Sequence, residues 1–128
     1  MYCCICVDAD WAHPLIATYL LEKMEQAKTR FTFFATENQT VPKSPLCELA
    51  WHPNFERGAS DLELKQLAEL FPGVRGLRPH KLIWGDCRNE DLMRHGIEWV
   101  SSVYLKDHWK PVEQDGILEV PIAWGDNW

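Results

Sequence analysis

No stretch of the 128 residues stays apolar for long enough to cross a bilayer. The opening residues, Met1-Tyr2-Cys3-Cys4-Ile5-Cys6-Val7, lack the basic segment that begins a secretory signal, so a cytoplasmic location is the expectation. Cations are scarce as well. Thirteen Lys+Arg stand against nineteen Asp+Glu, a net charge of −6, and Lys65, Arg75 and Lys81 are scattered. A chain without surplus cations cannot displace the counterions of a phosphate backbone, which makes nucleic-acid binding the least fitting role. Repeats, low-complexity tracts and linkers are also missing, so no domain boundary is drawn. The five cysteines form no zinc-ribbon or redox spacing, since Cys3 and Cys6 enclose Cys4. They read as reduced, and the N-terminal three as small apolar residues of a buried strand.

What is present describes an ordinary globular domain: 46% hydrophobic and 25% charged residues. Seven tryptophans are a heavy load; core filling is the first reading, and a stacking surface for a saccharide the second. Tyr2 to Val7 reads as a buried strand. Leu15, Ile16, Tyr19, Leu20, Met24 and Ala27 recur at helical spacing behind Pro14, which suits a first helical turn. Further strands are predicted over Phe31 to Ala35, Leu46 to Trp51, Val74 to Leu77, Ile97 to Val103 and Ile117 to Val120. Between them, Ser60 with Glu63 reads as a capping box opening a helix through Leu62, Leu64, Leu67, Leu70 and Phe71, which Pro72-Gly73 stops. Asn89 to His95 reads as a short helix ended by Gly96. His13 and His95 are placed at helix ends, and Glu119 as a strand-edge surface carboxylate. The alternation predicts an α/β fold with a mostly parallel sheet.

In such sheets, ligand sites gather at the carboxyl ends of the strands. Three predicted strand ends carry polar residues two apart: Asp8 and Asp10, His52 and Asn54, Arg78 and His80. On an extended chain, residues i and i+2 face the same way, so each pair can address one pocket. A carboxylate and imidazoles meeting at a point can hold a divalent metal and leave a position open for water. A second carboxylate can then serve as base, with an arginine to pair it.

These residues resemble the polysaccharide deacetylases, the NodB-homology carbohydrate esterases, and within them the lipopolysaccharide-biosynthesis-like branch. Ile5-Cys6-Val7-Asp8-Ala9-Asp10-Trp11 is similar to the family's first motif, in the D-x-D form. Thr29 to Ala35 resembles the strand that follows the first helix. Glu48 to Phe55, around His52, stands where the metal-binding histidine motif is expected, and Gly76-Leu77-Arg78-Pro79-His80 resembles the arginine motif. His95 to Val100 and Gly116 to Pro121 resemble later strands. The resemblance implies an incomplete or distorted (β/α) barrel and a metal-dependent deacetylase. In it, water on the metal attacks an N-acetyl carbonyl of a sugar or glycan precursor, with Asp8 as base and Arg78 as its partner. It implies Asp10 and His52 as metal ligands, and Trp11, Trp124 and Asp126 as residues near the substrate.

The chain departs from the family in two places. The usual H-x-x-x-H places a histidine where Glu56 stands, so the third ligand is His80, with Asn54 and Glu56 as alternatives. Zinc is the expected metal, with cobalt, nickel or iron also compatible. The histidine that acts as general acid in the family lies beyond Trp128, and His108 is a poor substitute. Residues 1–128 therefore read as one deacetylase-like domain, shortened at its C-terminal end. A barrel without its last strands leaves an open sheet edge that a second copy or another chain would cover. The alternative reading is an impaired relative that binds metal or saccharide, or acts with a partner, without turnover.

Overall fold

A computed structural model describes residues 4–10, 12–37, 39–105 and 110–123. Its frame is a seven-stranded sheet made of β1 (Ile5–Asp8), β2 (Phe31–Ala35), β3 (Cys47–Trp51), β4 (Gly76–Leu77), β5 (Trp99–Val100), β6 (Val112–Gln114) and β7 (Ile117–Glu119). The strand order is β1-β2-β3-β4-β5-β7-β6. Every pairing is parallel except β6 with β7, and the sheet does not close. The expected α/β class with a mostly parallel sheet is therefore the observed one.

β2 is buried at all five positions, as an apolar strand covered on both faces of a parallel sheet must be. Helix α1 (Pro14–Gln26) starts with proline at a position where its missing N–H costs nothing, and His13 Nδ1 accepts from the Leu15 N–H. Its Ala17, Leu21 and Met24 pack on Ala9, Phe31, Phe33 and Ala35. Helix α2 (Ser60–Leu70) drives Leu64 and Leu67 into the larger cluster around Trp51, Phe55, Leu77 and Ile117. Helix α3 (Asn89–Arg94) adds Leu92 there, and Gly96 follows its His95 cap at φ 77°, a conformation glycine adopts without strain.

Several expectations need correction. Cys4 and Cys6 are exposed, because β1 is an edge strand rather than a buried one. Ser60 and Glu63 form no capping box. Ala59 is the N-cap, the Ser60 N–H donates to Asp86, and Glu63 accepts from the Asn54 N–H. Glu119 is 7% exposed, not a surface carboxylate. It accepts from the Ser102 N–H at 2.8 Å, the Ser102 hydroxyl at 2.7 Å and the Val103 N–H at 3.3 Å. β6 went unforeseen, although Asp115-Gly116, both at positive φ, is the Asp-Gly pair that favours a tight hairpin. The predicted strand over Ile97 to Val103 shrinks to Trp99–Val100, for a reason that lies in the site. Among the described residues, no helix is long and apolar enough to cross a membrane.

Candidate metal centre

Because β1, β3, β4 and β5 run parallel, their C-terminal ends open onto one edge of the sheet, and the chain just past each strand stays tied to its neighbour. The His52 N–H donates to Ala35 O (2.8 Å), Arg78 N–H to Trp51 O (2.9 Å), His80 N–H to Pro53 O (2.8 Å) and Ser101 N–H to Leu77 O (3.0 Å). Backbone hydrogen bonds therefore fix the residues that carry the side chains, and a cavity of about 590 Å³ opens between them. Asp8, Asp10, His52, Arg78 and His80 all line it.

Donor atoms of Asp10, His52 and His80 lie within 4.8 Å of one another. Asp10 Oδ2 is 2.9 Å from His52 Nε2 and 3.0 Å from His80 Nδ1. The imidazoles are buried, and the Asp10 side chain is 17% exposed. Burial pushes the Asp10 carboxyl upward, but hydrogen bonds and charge from His52, then from His80, outweigh it and hold the group below its ordinary value.

The tautomer of His52 decides what this cluster fits. Its Nδ1 is 2.7 Å from the Arg78 carbonyl oxygen. A carbonyl only accepts, so Nδ1 carries the hydrogen, and in a neutral ring Nε2 is left with a lone pair. That lone pair faces a carboxylate oxygen, another acceptor, at 2.9 Å. The contact is favourable only with a positive charge on it: an extra proton on the ring, or a cation shared by both atoms. A histidine that donates one nitrogen to a carbonyl and offers the other as a ligand is the usual arrangement at a metal. The residues present thus fit a divalent cation.

Asp8 stands outside this trio. Its two oxygens receive Arg78 Nη1 at 2.9 and 3.1 Å, and its side chain is 37% exposed toward the cavity. Asn54 and Glu56 take other partners: the Asn54 side chain accepts from the Glu56 N–H, and Glu56 pairs at the surface with Lys81 at 2.9 Å. Trp11, Trp124 and Asp126 lie outside the described residues, as does His108.

Sequence reading missed Ser101, Phe34 and Tyr104. Ser101 accepts from Arg78 through both its carbonyl (Nε, 3.1 Å) and its hydroxyl (Nη2, 2.9 Å), and this is where β5 ends. Phe34 lies under the guanidinium, 4.2 Å from its carbon to the ring centre. Tyr104 lines the cavity. Only the position of Ser101 directly after a strand of apolar residues could have signalled it.

Residues 5–128 match the family model of the WbmS-like polysaccharide deacetylases. No curated protein matches the sequence. A similar solved structure is that of WbmS from Bordetella bronchiseptica, assigned as a polysaccharide deacetylase involved in O-antigen biosynthesis. The two share 23% identity and superpose with a TM-score of 0.80 over 92% of this chain, which spans 56% of the length of the other.

Proposed function

This chain belongs to the WbmS-like polysaccharide deacetylase family, and from that premise we propose that it removes an acyl group, in the first instance N-acetyl, from a sugar or glycan precursor. A divalent metal held by Asp10, His52 and His80 is part of the proposal. The observation that carries it is the His52 lone pair aimed at the Asp10 carboxylate. Two imidazoles and one carboxylate leave a coordination position free and suit zinc, with cobalt, nickel or iron as alternatives.

When bound, such a metal supplies Lewis acidity to an acetyl carbonyl and to water. Asp8 is the base. It is a carboxylate beside the trio rather than within it, open to the cavity, and able to take a proton from an attacking water. Arg78 keeps that carboxylate in place through Nη1, while its own carbonyl fixes the tautomer of His52. One residue thus orients both the base and a ligand. Trp11, Trp124 and Asp126 are proposed to contact the sugar. An O-antigen precursor handled in the cytoplasm is the substrate class we favour. We also propose that residues 1–128 form one deacetylase domain whose open sheet edge is covered by a second copy or another chain.

Elemental mass spectrometry of the purified protein tests the metal assignment, and acetate release from acetylated sugars tests the base. Asp10→Ala and His52→Ala are expected to lose bound metal. Asp8→Asn is expected to keep the metal and lose turnover by about a thousandfold, the middle of the range for a positioned general base. Equal metal in all three variants would sink the assignment.

A further inference from the structure

A guanidinium has two edges, and Arg78 divides them. Its Nε and Nη2, which form one edge, both point at Ser101: Nε–H donates to the serine carbonyl at 3.1 Å and Nη2 to the hydroxyl at 2.9 Å. That leaves Nη1 for Asp8, whose two oxygens it meets at 2.9 and 3.1 Å. The Phe34 ring covers one face of the cation at 4.2 Å. Ser101 is 3% exposed, so its hydroxyl meets the guanidinium in a setting closed to bulk solvent.

We propose that Ser101 is a positioning residue: by occupying the Nε/Nη2 edge it forces Arg78 to present Nη1 to Asp8, and so sets where the base stands relative to the metal ligands. This rests on the reading of Asp8 as base. Without the hydroxyl, Nη2 has lost its acceptor in a buried setting, and the guanidinium can turn its fork toward the carboxylate, moving Asp8. The metal ligands are insulated from that motion, because His52 leans on the backbone carbonyl of Arg78 and not on its side chain. The hydroxyl therefore acts on the base alone.

The test compares the parent chain with Ser101→Ala and Ser101→Thr. The readouts are bound zinc, melting temperature, kinetics of 4-nitrophenyl acetate hydrolysis by the zinc-loaded protein, and the arginine side-chain signals of a ¹H–¹⁵N spectrum. Loss of a hydrogen bond to a charged group predicts a fall in kcat of about tenfold or more for Ser101→Ala, with KM within about twofold. Zinc content is expected to equal that of the parent, and Ser101→Thr, which keeps the hydroxyl, to restore kcat. In the spectrum, the guanidinium signal assigned to Arg78 is expected to have the same position in the parent and Ser101→Thr, and a shifted position in Ser101→Ala. Parental kcat in Ser101→Ala, or zinc lost together with turnover, overturns the proposal. A parent that binds zinc but leaves the ester intact counts against the hydrolase reading instead. In that case the spectrum decides the proposal: an Arg78 signal unchanged in Ser101→Ala overturns it.

Discussion

A histidine's second nitrogen carries much of the case for a metal. The Arg78 carbonyl commits His52 Nδ1 to carrying hydrogen, and this turns a 2.9 Å contact with Asp10 from an ordinary hydrogen bond into one that requires a cation or a proton. Asp8, Asp10, His52, Arg78 and His80 were visible in the sequence because titratable residues two apart at the ends of apolar strands are conspicuous. Ser101 and Phe34 were not, since a serine and a phenylalanine fit a strand end or a core equally well, and only three-dimensional contact shows their hold on Arg78. The cysteines give a prediction at this scale. Burial, opposed by a backbone hydrogen bond at Phe33, pushes the Cys47 thiol up to about 11, and burial with nearby acids pushes Cys87 up to about 12. A raised thiol pKa means less thiolate at a given pH. At pH 8 about one Cys47 in a thousand is nucleophilic, and fewer of Cys87. Iodoacetamide at that pH, followed by peptide mass spectrometry, is expected to modify exposed Cys4 and leave Cys47 and Cys87 unmodified.

Between residue and fold, the short strands near the site are shaped by what their ends must hold. β4 is two residues long, and its Gly76 lies under the Trp99 indole, where an added Cβ would come within 2.0 Å of a ring carbon. The same indole packs edge-on against Phe34 at 6.0 Å, and Phe34 supports Arg78. Gly76→Ala must displace the ring, at a cost of about 1–3 kcal/mol typical of overpacking. Urea unfolding is expected to show that loss, and a parental midpoint would refute the contact. Glu119 gives the complementary case. Its carboxylate satisfies two backbone N–H groups and a hydroxyl where the chain leaves β5 for the cavity. Glu119→Ala removes the acceptor of two part-buried N–H groups and a hydroxyl at once. A destabilisation of about 2 kcal/mol is expected in the same experiment. The sequence was misread here because a lone glutamate before Val-Pro resembles a solvated strand edge. Nothing local signals that two N–H groups of the chain leaving a neighbouring strand come to meet it.

At the scale of the whole molecule, the element order and parallel sheet were legible because apolar strands and amphipathic helices alternate with clear stops. The edges of that sheet were not legible, since a strand's sequence does not say whether it has one neighbour or two. β1 proved to be an edge. Beside it, α1 has no fully buried residue and exposes Leu15 at 71%, Ile16 at 52% and Tyr19 at 57%. A strand paired on one side only among the described residues, flanked by exposed apolar side chains, is a surface that other chains can cover. The net charge of −6 opposes association but, at physiological ionic strength, is screened beyond about 8 Å. Apolar contact at close range should therefore win as concentration rises. Light scattering over a concentration series is expected to show self-association in the parent at physiological salt, and a shift toward monomer in Leu15→Lys with Ile16→Lys. Neither residue lines the cavity, so the paired variant is expected to keep its bound metal. A parent that stays strictly monomeric at high concentration would mean that the face is left to a different chain or to solvent.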